Sequence, residues 1–236
     1  MIIDHATERP TAGANWLGNG TTYDWMARTT VVLVFSFLAI LSINGAFQVA
    51  ANWTDQPLDH KLLTIAARIS NALFMALVAA TTVTRLRPIR KAGGVQPRIS
   101  ALLGTFLATS LVLLPRAQLS PIWLALSSAL VIIGTSLSFA VLRWLGKSFS
   151  IMAEARRMVT NGPYALVRHP LYVCEEIALI GILIQVISPA ALIIAITHGL
   201  LQFQRILNEE KLLRATFPEY EGYAARTPRL IPRGRK

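Results

Sequence analysis

Residues 29–50 read TTVVLVFSFLAILSINGAFQVA, an apolar stretch that contains no charged residue. An α-helix rises ~1.5 Å per residue, so a run of this length can cross a hydrocarbon core of ~30 Å. The stretch therefore predicts a transmembrane helix. Lipid is then expected to be part of the solvent that surrounds the rest of the chain.

Five further segments are apolar and nearly free of charge: residues 63–84, 99–115, 122–142, 171–187 and 189–204. The last two are short for a full crossing, which fits a small tilt, a locally thinned bilayer or a deep hairpin. The composition agrees with a membrane protein, because 15% of the residues are charged against about 25% in soluble domains. The predicted fold is all-α: a polytopic transmembrane helical bundle of about six spans.

The positive charge gathers on one side of this predicted bundle. The net charge is +11, and with six spans all but three of the 23 Lys and Arg residues share a side, the exceptions being Lys61, Arg68 and Arg116. The positive-inside rule places the basic side and both termini in the cytoplasm. The chain has neither the ligand spacing of a zinc site nor a strip of alternating basic and aromatic residues that would bind nucleic acid, so we expect no metal and no nucleic acid as a partner. The expected partner is the lipid bilayer.

The chain divides into three parts by composition. Residues 1–28 form a cytosolic N-terminal segment, residues 29–142 a four-span membrane bundle, and residues 143–236 a C-terminal region with two spans and a cytosolic tail. Polar residues cluster in the third part, so we expect the chemistry there.

The most informative stretch is NGPYALVRHPLYVCEE, residues 161–176. Asn161, Gly162 and Pro163 are typical of a turn, and Pro170 suits the first position of a helix. His169 therefore lies near a helix N-cap, where free N–H groups can bind a ligand carboxylate. Arg168 and Tyr172 flank this position. A structural cap is the alternative.

A second set of polar residues follows helical spacing. His198, Gln202, Arg205 and Glu209 are separated by four, three and four positions, which places them on one helix face, and Glu210 comes next. Ionisable residues inside a membrane usually mark a functional site. The alternative is an Arg205–Glu209 pair that merely stabilises the helix. Glu175 and Glu176, early in the fifth segment, are secondary candidates.

These residues carry a resemblance to known membrane enzymes. The stretches GKSFSIMAEARRMVTNGPYALVRHPLYV (146–173) and RILNEEKLLRATFPEYEGYAARTPRLIP (205–232) resemble the isoprenylcysteine carboxyl methyltransferase and phospholipid methyltransferase families. The combined order of the motifs is more specific than any one of them. The resemblance covers a little over a third of the chain.

The resemblance implies a methyltransferase that uses S-adenosylmethionine, held in a C-terminal cytosolic pocket. By motif position, His169, Tyr172, Glu209 and Glu210 belong to the cofactor pocket. Tyr164 also lines it, and Arg205 and Arg168 line the pocket or its approach.

The acceptor is expected to be lipidic or prenylated, and two chemistries remain open. A carboxylate acceptor needs no general base, and Arg205 or Arg168, the candidate catalytic residues, would orient it. An amine acceptor needs a base, for which Glu175 or Glu176 is a candidate.

Two rival functions fit the same sequence features. One is a membrane sterol or enone reductase that uses NADPH, since such enzymes have a similar C-terminal pocket. The other is a non-enzymatic transporter or scaffold, in which the polar face of the sixth segment lines a pathway or a partner interface.

Overall fold

The computed structural model describes residues 17–51 and 57–232. Within these ranges the chain is helical, with one pairing of two very short strands. Two 3-10 helices occur, at Leu107–Leu113 and Gly146–Ser148. The other elements in chain order are α1 (Leu17–Ala51), α2 (Leu58–Thr84), β1 (Arg90–Lys91), α3 (Gln96–Phe106), α4 (Pro121–Leu145), β2 (Glu154–Ala155), α5 (Pro163–Leu166), α6 (Pro170–Gln185), α7 (Pro189–Thr216) and α8 (Tyr220–Arg226).

Four helices in the described ranges are long and apolar enough to cross a membrane: Arg28–Ala51, Leu58–Thr84, Pro121–Ser148 and Pro189–Thr216. The prediction of a helical membrane protein is confirmed at this level. Large apolar side chains such as Leu33, Phe37 and Ile40 are exposed on α1, as expected for a helix that faces lipid. Residues 1–16 of the predicted N-terminal segment lie outside the described residues, and α1 already begins at Leu17.

The last apolar segment is longer than the sequence predicts. The apolar run ends at Gln204, but α7 continues to Thr216. Polar side chains in this extension bond to other elements: Arg205 Nη2 donates to the Ile151 carbonyl at 3.2 Å, and Asn208 Nδ2 donates to Ser100 Oγ at 3.2 Å. Helix α7 is thus long enough to cross a membrane although its apolar run is short, and the predicted helical spacing from His198 to Glu209 is confirmed.

The segments at 99–115 and 171–187 are not among the four candidate spans. The helix of the first segment ends at Phe106 and continues as a 3-10 helix, in which Thr109 and Ser110 donate to the carbonyls of Phe106 and Leu107. The second segment forms α6, of 16 residues. The count of six spans stays a prediction.

Helix α4 is central in the bundle, since it packs against both α2 and α6. Gly181 of α6 fits closely against α4, because a Cβ at this position would lie 2.6 Å from the Ser127 carbonyl oxygen. Gln185 Nε2 also donates to Ser127 Oγ at 2.9 Å. Small residues and interhelical hydrogen bonds are the usual contacts between membrane helices.

The segment between α4 and α6 is irregular and folds beneath the helix ends. Its strand β2 pairs antiparallel with β1, which extends from the end of α2. Leu86 N donates to the Lys147 carbonyl at 2.9 Å, and Ile89 N to the Ala155 carbonyl at 2.8 Å. These backbone hydrogen bonds join the irregular segment to the stretch of chain that follows α2.

Candidate functional site

The turn before α6 forms as the sequence predicts. Gly162 has φ 60°, a left-handed conformation that favours glycine, and a Cβ at this position would clash with the Trp144 ring. Pro170 is the first residue of α6, with His169 at its N-cap. The His169 side chain does not cap the helix and is almost completely buried.

His169 lies between the two adjacent glutamates of α7. Its Nε2 is 3.2 Å from Oε1 of Glu210, and its Nδ1 is 3.8 Å from Oε2 of Glu209. Tyr172, one turn into α6, donates its hydroxyl to Oε2 of Glu209 at 3.3 Å. The structure thus brings together the two separate motifs identified in the sequence.

Glu210 is completely buried and surrounded by cationic groups. Arg229 donates to both of its oxygens, at 3.0 Å from Nε and 2.8 Å from Nη2, and Arg168 Nη1 lies 3.2 Å from Oε1. A buried carboxylate is tolerated only when it is paired and hydrogen-bonded. Glu210 therefore ties the start of α6 to the C-terminal segment.

The C-terminal segment folds back over the site. The backbone N–H groups of Arg168 and His169 donate to the carbonyls of Pro228 and Arg229, at 2.9 and 3.2 Å. In α8, Tyr223 donates its hydroxyl to the Tyr164 carbonyl at 2.7 Å. Burial raises the pKa of the Tyr223 phenol, so it stays a donor at neutral pH.

A cleft opens between these elements, which we call the outer cleft. Six of the seven predicted site residues line it: Tyr164, Arg168, His169, Tyr172, Arg205 and Glu209. Glu210 is not among its lining residues, because it lies behind His169. The side chain of Glu209, in contrast, is 41% exposed.

Further polar or aromatic residues that were not predicted as site residues also line the outer cleft, among them Glu154, Arg156, Asn208 and Tyr220. Glu154 pairs with Arg156 and accepts a hydrogen bond from Ser150 at 2.7 Å. Burial lowers the pKa of the Arg156 guanidinium, and the neighbouring Glu154 opposes that change. Asn208 could have been found from its place beside Glu209, but Glu154 and Arg156 lie in a segment without helical periodicity.

A second cavity of about 390 Å³, the inner cavity, lies among the apolar parts of the helices. Glu175, His198 and Gln202 line it, together with apolar side chains such as Phe74 and Leu179. Gln202 Nε2 donates to Glu175 Oε2 at 3.1 Å. Glu175 is therefore not in the outer cleft, although it is close to His169 in sequence.

Arg205 lies at the boundary between the two cavities. Its Nη1 donates to Oε1 of Gln202 at 2.5 Å, and its guanidinium carbon is 5.2 Å from the centre of the Tyr172 ring. Among the described contacts, these groups and the Ile151 carbonyl are its partners, rather than Glu209. The predicted polar face of α7 is thus divided, with His198 and Gln202 in the inner cavity and Arg205 and Glu209 in the outer cleft.

In the described ranges, no three His, Cys, Asp or Glu side chains are grouped so that they could hold a metal ion. The outer cleft is lined by both positively and negatively charged side chains. Such an arrangement suits a ligand that carries both a carboxylate and an amino group.

The chain is similar to two curated bacterial proteins over part of its length. It is 40% identical over 82 residues to the nickel-cobalt-cadmium resistance protein NccN of Alcaligenes xylosoxydans xylosoxydans, covering 34% of this chain and 38% of the relative. It is 40% identical over 77 residues to the cobalt-zinc-cadmium resistance protein CzcN of Cupriavidus metallidurans, covering 32% and 36%. The match thus spans little more than a third of each relative.

One stretch of the chain carries a family match. It begins in α4, includes the turn before α6 and all of α6, and ends near the end of α7. Residues 125–215 match the isoprenylcysteine carboxyl methyltransferase (ICMT) family, so the resemblance noted in the sequence is confirmed for this segment.

Proposed function

We propose that this protein transfers a methyl group from S-adenosylmethionine to a membrane-associated acceptor. The family match suggests a membrane methyltransferase, and members of that family use this cofactor. The observation that carries the proposal is the pairing of His169 with the Glu209–Glu210 pair at the outer cleft. Both motifs contribute to one site at the end of apolar helices, where a soluble cofactor and a lipid-borne acceptor can meet.

The side chains of the outer cleft fit the cofactor. Nε of Arg168 and both Nε and Nη1 of Arg156 are buried without a hydrogen-bond partner among the described residues, so they are available to a carboxylate. Glu209 has an exposed carboxylate that can accept hydrogen bonds from an amino group or ribose hydroxyls. When bound, S-adenosylmethionine supplies an electrophilic methyl group.

Within this proposal, the two glutamates have different roles. Glu209 contacts the cofactor, together with His169, Tyr172 and Tyr164. Glu210 is a positioning residue, because its oxygens already accept from Arg229 and contact His169 and Arg168. Arg205 lies where the outer cleft meets the inner cavity, so it would contact the acceptor. Alignment of two reactants can supply ~7 to 11 kcal/mol of rate enhancement.

The inner cavity is the proposed place for the acceptor. It has an apolar lining, and its polar end at Gln202 adjoins Arg205. Glu175 favours an amine over a carboxylate as the acceptor, because a second carboxylate beside it would be repelled in a medium of low dielectric constant. Glu175 would also take the proton that an amine loses on methylation.

The proposed topology keeps both termini and the outer cleft in the cytoplasm. Helix α6 is about 24 Å long at ~1.5 Å per residue, so it approaches but does not reach the ~30 Å of a hydrocarbon core. We propose that α6 is nevertheless a membrane segment, and that α3 with its 3-10 continuation is another. Together with the four longer helices they make the predicted six.

The test is to identify the methylated product. Protein in lipid nanodiscs is incubated with methyl-labelled S-adenosylmethionine and a membrane lipid extract, and labelled lipids are isolated. We expect lipid-borne label that stays non-volatile in mild alkali, because an N-methyl group survives this treatment whereas a methyl ester releases labelled methanol. Glu209→Ala should lose the label, and Glu219→Ala, an exposed glutamate outside the cleft, should keep it. No labelled lipid with the wild-type protein would refute the proposal.

A further inference from the structure

A third cavity, of about 440 Å³, lies at the opposite end of the bundle from the outer cleft. Helix α6 connects the two ends: it begins at the outer cleft and ends at Gln185, which lines this cavity. Gln185 also accepts a backbone hydrogen bond from Ala117 at 2.9 Å. We call this third cavity the basic cavity, because Lys61, Arg68 and Arg116 all line it.

Arg68 and Arg116 face the basic cavity without a compensating carboxylate. Neither forms an ion pair with an acidic side chain in the described ranges, and the cavity lining there contains no acidic residue. The two guanidinium groups are close enough to repel one another. Arg68 is also ten residues beyond the start of α2, or about 15 Å along it at ~1.5 Å per residue. A charge at such a depth is unfavourable and usually marks a functional site.

The neighbouring helix leaves room for Arg68. Gly45 of α1 lies against the Arg68 guanidinium, and a Cβ at residue 45 would overlap its Nη1. Two neutral side chains that can donate hydrogen bonds, Gln48 and Thr64, line the same cavity. The guanidinium groups are therefore held in a defined position beside other donors.

We propose that the basic cavity binds a phosphate group, from either a membrane lipid headgroup or free phosphate. Two converging guanidinium groups suit a phosphate because each can donate two parallel hydrogen bonds to its oxygens. The bound anion removes the repulsion between Arg68 and Arg116. Arg116 and Gln185 line both the basic cavity and the inner cavity, so the two cavities adjoin. Phosphate binding is measured without the cofactor and is therefore tested independently of the proposed function.

The experiment measures binding in two arms. In the first, thermal unfolding of the purified full-length protein in detergent is followed as inorganic phosphate is added at constant ionic strength. In the second, native mass spectrometry counts lipids retained from nanodiscs of phosphatidylglycerol or of phosphatidylcholine. The variants are Arg68→Gln and Arg116→Gln, with Arg143→Gln, an exposed arginine of α4 outside the cavity lining, as the matched control.

We expect each cavity variant to weaken anion binding at least about tenfold, since a charge-assisted hydrogen bond contributes ~1.5 to 3 kcal/mol. Gly45→Ala keeps both charges but displaces the Arg68 guanidinium, so it should weaken binding as well. Because Arg68→Gln removes one of two neighbouring positive charges, it should not lower the unfolding temperature without ligand.

The two arms distinguish the sources of the phosphate. Stabilisation by inorganic phosphate that is lost in both cavity variants identifies a site for the free anion. Retention of phosphatidylglycerol alone, again lost in both variants, identifies a lipid headgroup. The proposal is overturned if neither ligand binds the wild-type protein, or if both cavity variants bind as Arg143→Gln does.

Discussion

Arg229 places its Nη2 2.8 Å from Oε2 of Glu210, and this contact joins the C-terminal segment to a completely buried carboxylate of α7. The hydrogen bond to Glu210 raises the pKa of Arg229, so the guanidinium stays charged at any physiological pH. His169 and Arg168 contact the other oxygen of the same carboxylate. The geometry of the outer cleft therefore depends on a group that does not line the cleft.

Replacing Glu210 should unfold this end of the protein more easily than replacing Glu209. Glu210→Gln leaves Arg229 and Arg168 without their carboxylate, and breaking a buried ion pair destabilises by about 3 to 5 kcal/mol. Glu209→Gln alters a half-exposed side chain and should change stability by less than about 1 kcal/mol. Denaturant unfolding in detergent measures both. Equal losses of stability would contradict the different roles assigned to the two glutamates.

Tyr172→Phe should weaken cofactor binding without disturbing the fold. The variant removes the hydroxyl that donates to Glu209 at 3.3 Å but keeps the ring beneath Arg205. The hydroxyl positions the Glu209 carboxylate, so its loss should lower the affinity for S-adenosylhomocysteine severalfold, and by less than Glu209→Ala does. Isothermal titration calorimetry provides the measurement, with Glu219→Ala as the control. An unchanged affinity would show that this hydrogen bond does not shape the binding site.

Glu175→Gln should lower the rate of methyl transfer and leave cofactor affinity unchanged. Glu175 lines the inner cavity, and its carboxylate accepts from Gln202, whereas the proposed cofactor contacts are in the outer cleft. Loss of a general base commonly lowers a rate by 10²- to 10⁴-fold. Initial rates with a lipid amine test this. A rate that does not fall would show that Glu175 is not the base that takes the amine proton.

Gly181→Ala should destabilise the bundle, because a Cβ at residue 181 meets the Ser127 carbonyl at 2.6 Å. Helices α4 and α6 would have to separate, and overpacking costs about 1 to 3 kcal/mol. Gly199→Ala on α7 is the matched control, since no atom lies within 4 Å of a Cβ there. Thermal unfolding of both variants gives the comparison. If Gly181→Ala were as stable as Gly199→Ala, the close packing of α4 and α6 would be disproved.

The parts of the fold that follow from local sequence were predictable. Apolar runs locate the helices, and Pro170 fixes the start of α6 and the N-cap position of His169, because proline suits the first helical turn. The extent of α7 was not predictable from hydropathy. Arg205 and Asn208 end the apolar run, and hydropathy does not show that they bond to Ile151 and Ser100 or that the helix extends to Thr216.

The division of labour between Glu209 and Glu210 also needed the structure. Both glutamates were predicted to belong to the cofactor pocket. Because adjacent residues on a helix point in directions about 100° apart, the sequence does not show which of them faces the cleft. The answer depends on Arg229, 19 residues after Glu210, and on Arg168, on a different element. Glu154 and Arg156 were missed for a related reason, since an irregular segment has no period that reveals which side chains turn inward.

Equilibrium binding of S-adenosylhomocysteine and NADPH to the wild-type protein, measured side by side in detergent or nanodiscs, tests the central claim most directly. The proposed methyltransferase should bind S-adenosylhomocysteine, lose that binding in His169→Ala and Glu209→Ala, and show no saturable binding of NADPH. Tight binding of NADPH with no detectable binding of S-adenosylhomocysteine would contradict the claim and favour a membrane reductase.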